Sequence, residues 1–271
     1  MNYREYIKAI MFDYDGTLIN YDYVVSDYTK KAISELQDKD YILCISSGRP
    51  CYIALKAFRE DFGDYRLDYI FGCNGSEIMD VKSNKIDILY PIKAKDVVKL
   101  SYTLDHPKLV LGIYEGDRFL MNRETDSSII LDWLERRELK PVIYDFSKND
   151  LDRSKVLGLF DPNDFDIIDL FLRSADLGEC NSAYSAKFCY EITAKGISKG
   201  KTVQELCKII NCDNKQILSF GDMANDLDML KASTGVAMAN SSTEVLNEIS
   251  LRTGDVSKEG IYQFLSENGL I

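Results

Sequence analysis

A short apolar strand that ends in two closely spaced carboxylates constrains this 271-residue chain more than any other feature. The run Ala9–Phe12 predicts a buried strand, and Asp13, Asp15, Gly16 and Thr17 follow it directly. The carboxyl ends of parallel strands border the ligand crevice of an α/β sheet, so we expect both carboxylates to lie at a site. Two carboxylates this close need a cation or a shared proton, and Mg²⁺ is a suitable oxygen-binding ion. The structural alternative is an Asp-Gly turn with both side chains in solvent.

The composition limits the size and the partners of the protein. Hydrophobic residues make up 45% of the chain, which is enough for one large domain or two modest ones. The net charge is −11 and the pI is about 4.7, a balance that argues against binding to nucleic acid or to an anionic membrane. A phosphate can still bind to an acidic protein if a metal and a few cations focus positive potential in one cleft.

The cysteines and the single histidine exclude several kinds of site. Seven cysteines occur without any C-x-x-C spacing, so we expect reduced thiols in a reducing compartment. The only histidine, His106, precedes a proline and is expected to be an ordinary surface or loop residue. Ser-His-Asp, Cys-His and multi-histidine zinc chemistry are therefore not expected. The N-terminus is polar and no apolar run approaches about 18 residues, which predicts a cytoplasmic protein without a signal peptide or membrane span.

The order of predicted elements indicates a discontinuous core with an insertion. Strands and helices alternate up to Asn74-Gly75, and polar residues follow each strand. Hairpins mixed with helices come next, and strand–helix alternation returns near Lys195. The pattern predicts an α/β fold with a Rossmann-like, doubly wound parallel sheet as its core (1–79 and 191–271). Residues 80–190 are predicted to form an inserted α+β cap domain.

Four polar clusters occupy corresponding places in the predicted core, and each suits a task in phosphoryl transfer. Asp13 could attack phosphorus and carry a covalent phosphate, while Asp15 could act as general acid and then as general base. Ser47, after the second strand, and Lys199, which opens a helix, could neutralise phosphoryl oxygens. Asp222, after a late strand, could complete an oxygen cage for Mg²⁺ with help from its neighbours Asn225 and Asp226.

Each cluster also has an ordinary structural explanation. Ser47-Gly48 could be a simple turn, Lys199 a solvated lysine, and Asp222 and Asp226 helix caps. The four clusters favour a site because each stands at the appropriate end of a predicted element and because they occur in this order.

The sequence resembles the haloacid dehalogenase (HAD) superfamily, in particular its Cof-like sugar-phosphatase branch with a large α/β cap. The resemblance spans nearly the whole chain. Its motifs match the segments Asp13–Thr17 (D-x-D-G-T), Ser47–Pro50 (usually T-G-R-P), Asn74-Gly75, Lys199-Gly200, Gly221–Leu230 (G-D-x-x-N-D-x-x-M-L) and Gly235–Met238. The chain departs from the usual pattern at Ser47, where threonine is commoner, and at Ala239, where glycine is usual; neither change removes an essential group. The choice of Ser47 over Ser46 rests partly on this resemblance.

The resemblance implies a role for each matching residue. Asp13 would be nucleophile and metal ligand, Asp15 the acid/base with its backbone carbonyl on the metal, and Asp222 a further ligand. Asp226 would hold or support the metal. The residues expected to bind the phosphate are Ser47, Gly48, Arg49, Asn74, Lys199 and Asn225.

We therefore expect a Mg²⁺-dependent phosphatase of small phosphorylated metabolites, sugar phosphates or a flavin precursor. The rivals are a phosphomutase or phosphotransferase that uses the same aspartyl-phosphate, and a non-catalytic phosphometabolite-binding protein. A P-type-ATPase-like motor is excluded because no membrane span is predicted. The sequence does not predict the oligomeric state. The cap is expected to select the substrate, with candidate contacts at Arg118, Arg123, Lys187, Tyr114, Tyr184 and Tyr190.

Overall fold

The structure, a computed structural model, describes residues 3–271, which divide into two compact units. One unit comprises the chain up to Asp87 together with Ser198–Ile271, and the other comprises Ile88–Ile197. The strands are β1 (Ala9–Phe12), β2 (Ile42–Ser46), β3 (Tyr69–Gly72), β4 (Glu77–Asp80), β5 (Lys85–Ile88), β6 (Val110–Glu115), β7 (Arg118–Met121), β8 (Lys140–Ile143), β9 (Val156–Leu159), β10 (Cys180–Ala186), β11 (Cys189–Ala194), β12 (Ile217–Gly221) and β13 (Thr234–Ala237). The helices are α1 (Tyr3–Tyr6), α2 (Asp27–Gln37), α3 (Cys51–Phe62), α4 (Ala94–Thr103), α5 (Ser128–Glu135), α6 (Phe165–Ser174), α7 (Lys199–Ile210), α8 (Leu227–Ala232), α9 (Thr243–Glu248) and α10 (Gly260–Glu267).

The first unit is built on a seven-stranded sheet with the order β13-β12-β1-β2-β3-β4-β5. The strands from β13 to β3 run parallel to one another, and β4 pairs antiparallel with β3. The chain begins this sheet near its middle and returns to add β12 and β13 on the other side of β1. The predicted α/β class with a parallel, Rossmann-like sheet is confirmed.

Strand β1 is buried on both faces, as its unbroken apolar sequence predicts. Successive side chains of a strand point to opposite faces. Ile10 and Phe12 join a core cluster with Ala32 of α2 and Phe264 of α10. The sulfur of Met11 instead accepts a 3.3 Å hydrogen bond from Thr202 of α7. Helices on both faces of the sheet thus shield β1 from water.

Ser26 begins α2 in the way that its sequence predicts. Its backbone is extended, and its hydroxyl oxygen accepts a 3.0 Å hydrogen bond from the Thr29 amide. The buried face of the helix consists of Thr29, Ala32, Ile33 and Leu36.

The second unit has a six-stranded sheet with the order β10-β11-β9-β6-β7-β8. Its pairings are antiparallel except between β7 and β8, which run parallel. Leu100 of α4 and Ile168 of α6 pack with Ile113, Val156 and Ile192 of the sheet in a separate core cluster. This mixture of strands and helices agrees with the α+β character expected of the inserted segment.

The boundaries between the units differ from those expected from the sequence, which were 79/80 and 190/191. The structure places them after Asp87 and after Ile197. At the first boundary, β4 pairs with β3 and therefore extends the sheet of the first unit. At the second, β11 continues to Ala194 as a partner of β10. The apolar pattern of the sequence does not specify which strands pair. The observed pairing of β4 and β11 explains why both boundaries lie later in the chain than expected.

All seven cysteines are free thiols, and six of them are buried. None of the helices within residues 3–271 combines the length and the apolar character needed to cross a membrane.

Candidate active site

The ends of two neighbouring strands bring the first and the last polar clusters together. β1 and β12 are parallel and in register, with Phe12 opposite Phe220. The Asp13 amide continues this pairing by donating a 2.9 Å hydrogen bond to the Phe220 carbonyl. Asp222 follows one residue beyond β12. Residues remote in the sequence therefore meet at one edge of the sheet, as expected from its parallel topology.

A buried lysine joins two of the carboxylates at this edge. Lys199 is the first residue of α7 and only 2% exposed. Its ammonium donates hydrogen bonds of 2.5 Å to Asp13 Oδ1 and 2.7 Å to Asp226 Oδ1. The other oxygen of Asp226, Oδ2, accepts hydrogen bonds from the amides of Asp222 and Met223 at 3.0 and 2.9 Å. Both oxygens of Asp226 are therefore engaged by the protein, and this carboxylate fixes Lys199 to the loop after β12.

The protonation equilibria at this edge reflect an excess of negative charge. Burial and the neighbouring Asp226 raise the pKa of Asp13 well above its usual value, although Lys199 lowers it. Burial is also the main cause that raises the pKa of Asp222, to about 6. Burial alone would lower the pKa of the Lys199 ammonium, but Asp13 and Asp226 raise it above the normal value. The buried carboxylates therefore repel one another beyond what Lys199 offsets, and a further cation would relieve this repulsion.

The donor set fits a divalent cation. Asp13, Asp222 and Asp226 each offer an oxygen, and these oxygens lie within 4.8 Å of one another. Three ionised carboxylates and one ammonium carry a net charge of −2, which a divalent ion would neutralise. Carboxylate oxygens are the ligands that Mg²⁺ prefers. Asp226 binds the Lys199 ammonium through Oδ1 and accepts from two amides at Oδ2, whereas Oδ1 of Asp222 accepts one hydrogen bond, from Thr17, and keeps an acceptor position; Asp13 and Asp222 are therefore the better candidates for direct ligands.

Asp15 lies beside the cluster and is held by an arginine. The Arg49 Nε donates a 2.9 Å hydrogen bond to Asp15 Oδ2, and one terminal nitrogen of the same guanidinium donates to Oδ1. The guanidinium also lies 4.9 Å from the centre of the Tyr14 ring, and the Tyr14 hydroxyl donates to Asp61. The sequence placed Arg49 among the phosphate-binding residues but did not predict its contact with Asp15.

The predicted phosphate-binding turn lies after β2. The Ser46 hydroxyl lies 3.3 Å from the Thr202 hydroxyl, whereas the Ser47 oxygen accepts a 3.1 Å hydrogen bond from the Arg49 amide. The Ser46 side chain therefore lies between the sheet and α7, which favours Ser47 as the candidate phosphate-binding hydroxyl. The Asn74 amide donates a 3.0 Å hydrogen bond to the Ser47 carbonyl.

Asn74 connects this turn to the loop after β12. Its side-chain oxygen accepts a 3.5 Å hydrogen bond from Asn225 Nδ2. It would also lie 3.4 Å from a Cβ added to Gly48. Cys73, Asn74 and Gly75 all have positive φ angles, an uncommon backbone run that is typical of functional sites. Asn74, Gly48 and Asn225 thus lie together, and their binding of phosphate remains a prediction.

Sequence reasoning missed three side chains that surround Asp222. They are Thr17, Tyr21 and Asn240, and each donates a hydrogen bond to the Asp222 carboxylate. Thr17 belongs to the D-x-D-G-T motif, but no role was predicted for its side chain. Tyr21 and Asn240 lie in loops, where no periodicity indicates the direction of a side chain.

Most of the candidate substrate contacts in the second unit have partners within that unit. Arg118 pairs with Glu115, and Arg123 pairs with Asp105. Tyr184 donates a 3.0 Å hydrogen bond to Asp169. Tyr190 shares a 2.5 Å hydrogen bond with Ser182, Tyr114 packs against Phe119 and Trp133, and Lys187 is exposed. These contacts agree with packing or surface roles, and the substrate contacts remain predictions.

The chain is similar to known proteins both in sequence and in fold. The profile of the haloacid dehalogenase-like hydrolases matches residues 10–265. A relative from Bacillus subtilis named 5-amino-6-(5-phospho-D-ribitylamino)uracil phosphatase is 28% identical over 94% of this chain and 93% of its own length.

Solved structures show the same fold. The crystal structure of a haloacid dehalogenase-like hydrolase from Bacteroides thetaiotaomicron superposes with a TM-score of 0.82, at 23% identity, over 96% of this chain and 99% of that one. A structure described as a HAD subclass IIB sugar phosphatase superposes with a TM-score of 0.75, at 20% identity, over 97% of this chain and all of the other (100%).

Proposed function

The chain belongs to the haloacid dehalogenase-like hydrolases, and we propose that it is a Mg²⁺-dependent phosphatase of small phosphorylated metabolites that works through a phosphate ester of Asp13. One observation carries the proposal. A buried ammonium, Lys199, joins Asp13 to Asp226, and both carboxylates lie within 4.8 Å of Asp222, at the ends of two neighbouring parallel strands. A site with three buried carboxylates and one cation is suited to a divalent metal and a phosphoryl group.

In the first proposed step, Asp13 attacks phosphorus. Within residues 3–271, Lys199 is the hydrogen-bond donor to Oδ1 of Asp13, which leaves Oδ2 as the attacking oxygen. The bond between phosphorus and the leaving oxygen breaks, and this oxygen takes a proton from Asp15. Lys199 remains hydrogen-bonded to Asp13 and neutralises charge on the phosphoryl group. Bound Mg²⁺, held by Asp13 and Asp222, would supply further positive charge for the phosphoryl oxygens.

In the second proposed step, water hydrolyses the phosphate ester of Asp13. Asp15, now ionised, takes a proton from water as the water oxygen bonds to phosphorus. The bond from phosphorus to Asp13 breaks, and inorganic phosphate and the free carboxylate result. Ser47 and Asn74, in the turn after β2, would bind the phosphoryl oxygens during both steps.

The proposed substrate is a phosphate ester of a sugar or a sugar-like chain. The relative from Bacillus subtilis is named for a substrate with a phosphorylated ribityl chain, and one similar structure is described as a sugar phosphatase. Both names support a primary phosphate on a polyhydroxylated carbon chain.

The test is hydrolysis of p-nitrophenyl phosphate by the wild type, Asp13→Asn and Asp22→Asn, with Mg²⁺ and in excess chelator. Asparagine keeps the shape of Asp13 but is a far poorer nucleophile. Asp22 is an exposed carboxylate in a nearby loop and serves as the matched control. We expect turnover only with Mg²⁺, loss of turnover in Asp13→Asn, and an unchanged rate in Asp22→Asn.

A screen of sugar phosphates with and without an added sugar acceptor distinguishes the alternatives. Release of inorganic phosphate supports the phosphatase, whereas transfer to the acceptor indicates a phosphotransferase or phosphomutase. Full turnover in chelator, or activity that survives Asp13→Asn, would exclude the proposed mechanism.

A further inference from the structure

The carboxylate of Asp222, a candidate metal ligand, is hydrogen-bonded by side chains outside the cluster of acidic residues. Asp222 is fully buried. Its Oδ1 accepts a 3.3 Å hydrogen bond from the Thr17 hydroxyl. Its Oδ2 accepts hydrogen bonds from the Tyr21 hydroxyl and, at 3.5 Å, from Asn240 Nδ2.

Tyr21 combines an exposed ring with a buried contact. The residue as a whole is 58% exposed, yet its hydroxyl reaches a carboxylate that water does not reach. It does so across Gly16, where an added Cβ would lie 2.6 Å from the Tyr21 oxygen and 2.3 Å from Asp222 Oδ2. The absence of a side chain at Gly16 is therefore what allows this hydrogen bond.

The turn that carries Tyr21 is well defined by hydrogen bonds. The side-chain oxygen of Asn20 accepts from the amides of Asp22 and Val24 at 3.0 and 2.9 Å. The backbone of Asn20 exchanges two further 3.0 Å hydrogen bonds, with Val24 and Tyr23. Tyr23 has a φ angle of 60°, which is uncommon for a residue other than glycine. Such a turn holds Tyr21 at the edge of the site.

We propose that Tyr21 is a positioning residue for the metal, and that its hydroxyl orients the Asp222 carboxylate for Mg²⁺; this inference rests on the proposed function. A carboxylate has about four acceptor positions; Tyr21 and Asn240 donate to Oδ2 and Thr17 donates to Oδ1, so one position on Oδ1 remains able to coordinate a cation. Groups that hydrogen-bond a ligating side chain fix its orientation, and their loss typically weakens metal binding about 10–100-fold. The Tyr21 hydroxyl is the donor in its contact with Oδ2, and a phenol has one O–H to donate.

The test measures Mg²⁺ affinity by calorimetric titration of the full chain for the wild type, Tyr21→Phe and Tyr23→Phe. Phenylalanine keeps the ring and removes only the hydroxyl. Tyr23 lies in the same turn, is 72% exposed and has no hydrogen bond to Asp222, so it is the matched control. We expect the Mg²⁺ dissociation constant to rise about 10-fold in Tyr21→Phe and to stay within about twofold of the wild type in Tyr23→Phe.

Thermal unfolding gives a readout that does not depend on catalysis. A ligand that binds the native state raises the melting temperature according to its affinity. The rise caused by Mg²⁺, measured for each protein against its own melting temperature without Mg²⁺, should be smaller in Tyr21→Phe than in either of the other proteins. Asn20→Ala, which loosens the turn but keeps the phenol, should weaken Mg²⁺ binding in the same direction by a smaller factor.

The outcomes separate this inference from the proposed function. Unchanged or tighter Mg²⁺ binding by Tyr21→Phe overturns the role of Tyr21 and leaves the metal site intact. An equal loss in Tyr21→Phe and Tyr23→Phe also overturns it, because the turn as a whole would then be responsible. A wild type that binds no Mg²⁺ overturns the proposed function together with this inference.

Discussion

Arg49 binds Asp15 through both oxygens of its carboxylate, so the proposed acid/base is paired with a cation. The paired hydrogen bonds hold the Asp15 carboxylate in one orientation. The phosphoryl oxygens of a bound substrate are alternative partners for the same guanidinium. Transfer of Arg49 from Asp15 to the substrate would free the Asp15 carboxyl for proton transfer to the leaving oxygen.

Arg49→Lys should therefore reduce catalysis although it keeps the positive charge. A lysine cannot reproduce the paired hydrogen bonds that arginine makes with a carboxylate or a phosphate. We expect kcat/KM for a sugar phosphate to fall at least about 10-fold, since hydrogen bonds to charged groups contribute about 1.5–3 kcal/mol. Steady-state kinetics measure this, with Arg59→Lys, whose guanidinium binds backbone carbonyls of Gly63 and Tyr65, as the control. Equal kinetics of Arg49→Lys and the wild type would show that the pairing has no role in turnover.

Asp15→Asn should separate the two chemical steps. p-Nitrophenolate leaves without much help from an acid, so Asp13 can still be phosphorylated, but hydrolysis of the ester lacks its general base. We expect a burst of about one p-nitrophenol per enzyme, followed by turnover at least about 100-fold slower than in the wild type. Rapid-mixing absorbance measurements detect the burst, and intact-protein mass spectrometry detects the added phosphate. Asp13→Asn should show neither, and a burst in that variant would place the nucleophile elsewhere.

Lys199→Met should impair both stability and catalysis. The buried Asp13 and Asp226 lose their shared cation, and breaking a buried ion pair costs about 3–5 kcal/mol. Loss of a charge that stabilises the phosphoryl group should lower kcat about 100- to 1,000-fold. Chemical denaturation and p-nitrophenyl phosphate kinetics measure the two effects. Lys208→Met removes an exposed lysine of the same helix that pairs with Glu205, and should change neither; a comparable loss there would indicate a general effect on α7.

Gly235→Ala should destabilise the first unit without touching the site. A Cβ at Gly235 would lie 2.2 Å from the Leu230 carbonyl oxygen, so the backbones of β13 and α8 would have to separate. Overpacking of this kind costs about 1–3 kcal/mol of the free energy of unfolding. Urea denaturation measures it. In Gly254→Ala the nearest atoms lie 3.3 Å away, and a smaller loss is expected; the reverse order would contradict the packing argument.

The sequence predicts the parts of this protein that depend on periodicity and on strand ends. Apolar runs such as Ala9–Phe12 locate buried strands, and a parallel sheet brings the residues after those strands to one edge. The juxtaposition of Asp13 and Asp222 could therefore be predicted. For Lys199 the sequence predicts a role, but neither its burial nor its contact with Asp13. The position of Lys199 as the first residue of α7 does not specify the direction of its side chain.

Other features depend on pairings and rotamers that the sequence does not encode locally. The addition of β4 to the first sheet follows from backbone hydrogen bonds with β3, and it moved the boundary between the units. The contacts Arg49–Asp15 and Tyr21–Asp222 join loops that are distant in the chain. Such contacts follow from three-dimensional packing and have no pattern in the sequence.

The position of β1 in the middle of its sheet also governs how the chain is made. Ala9 pairs on one side with Ile42, which follows soon after it, and on the other with Ile217, which is synthesised much later. At about 5–20 residues per second, β1 waits roughly 10–40 s on the ribosome for its second partner. During that time an apolar strand presents an unpaired edge, which is an aggregation hazard that a chaperone would have to cover. A message truncated before β12 would thus yield a fragment that both lacks Asp222 and associates through β1.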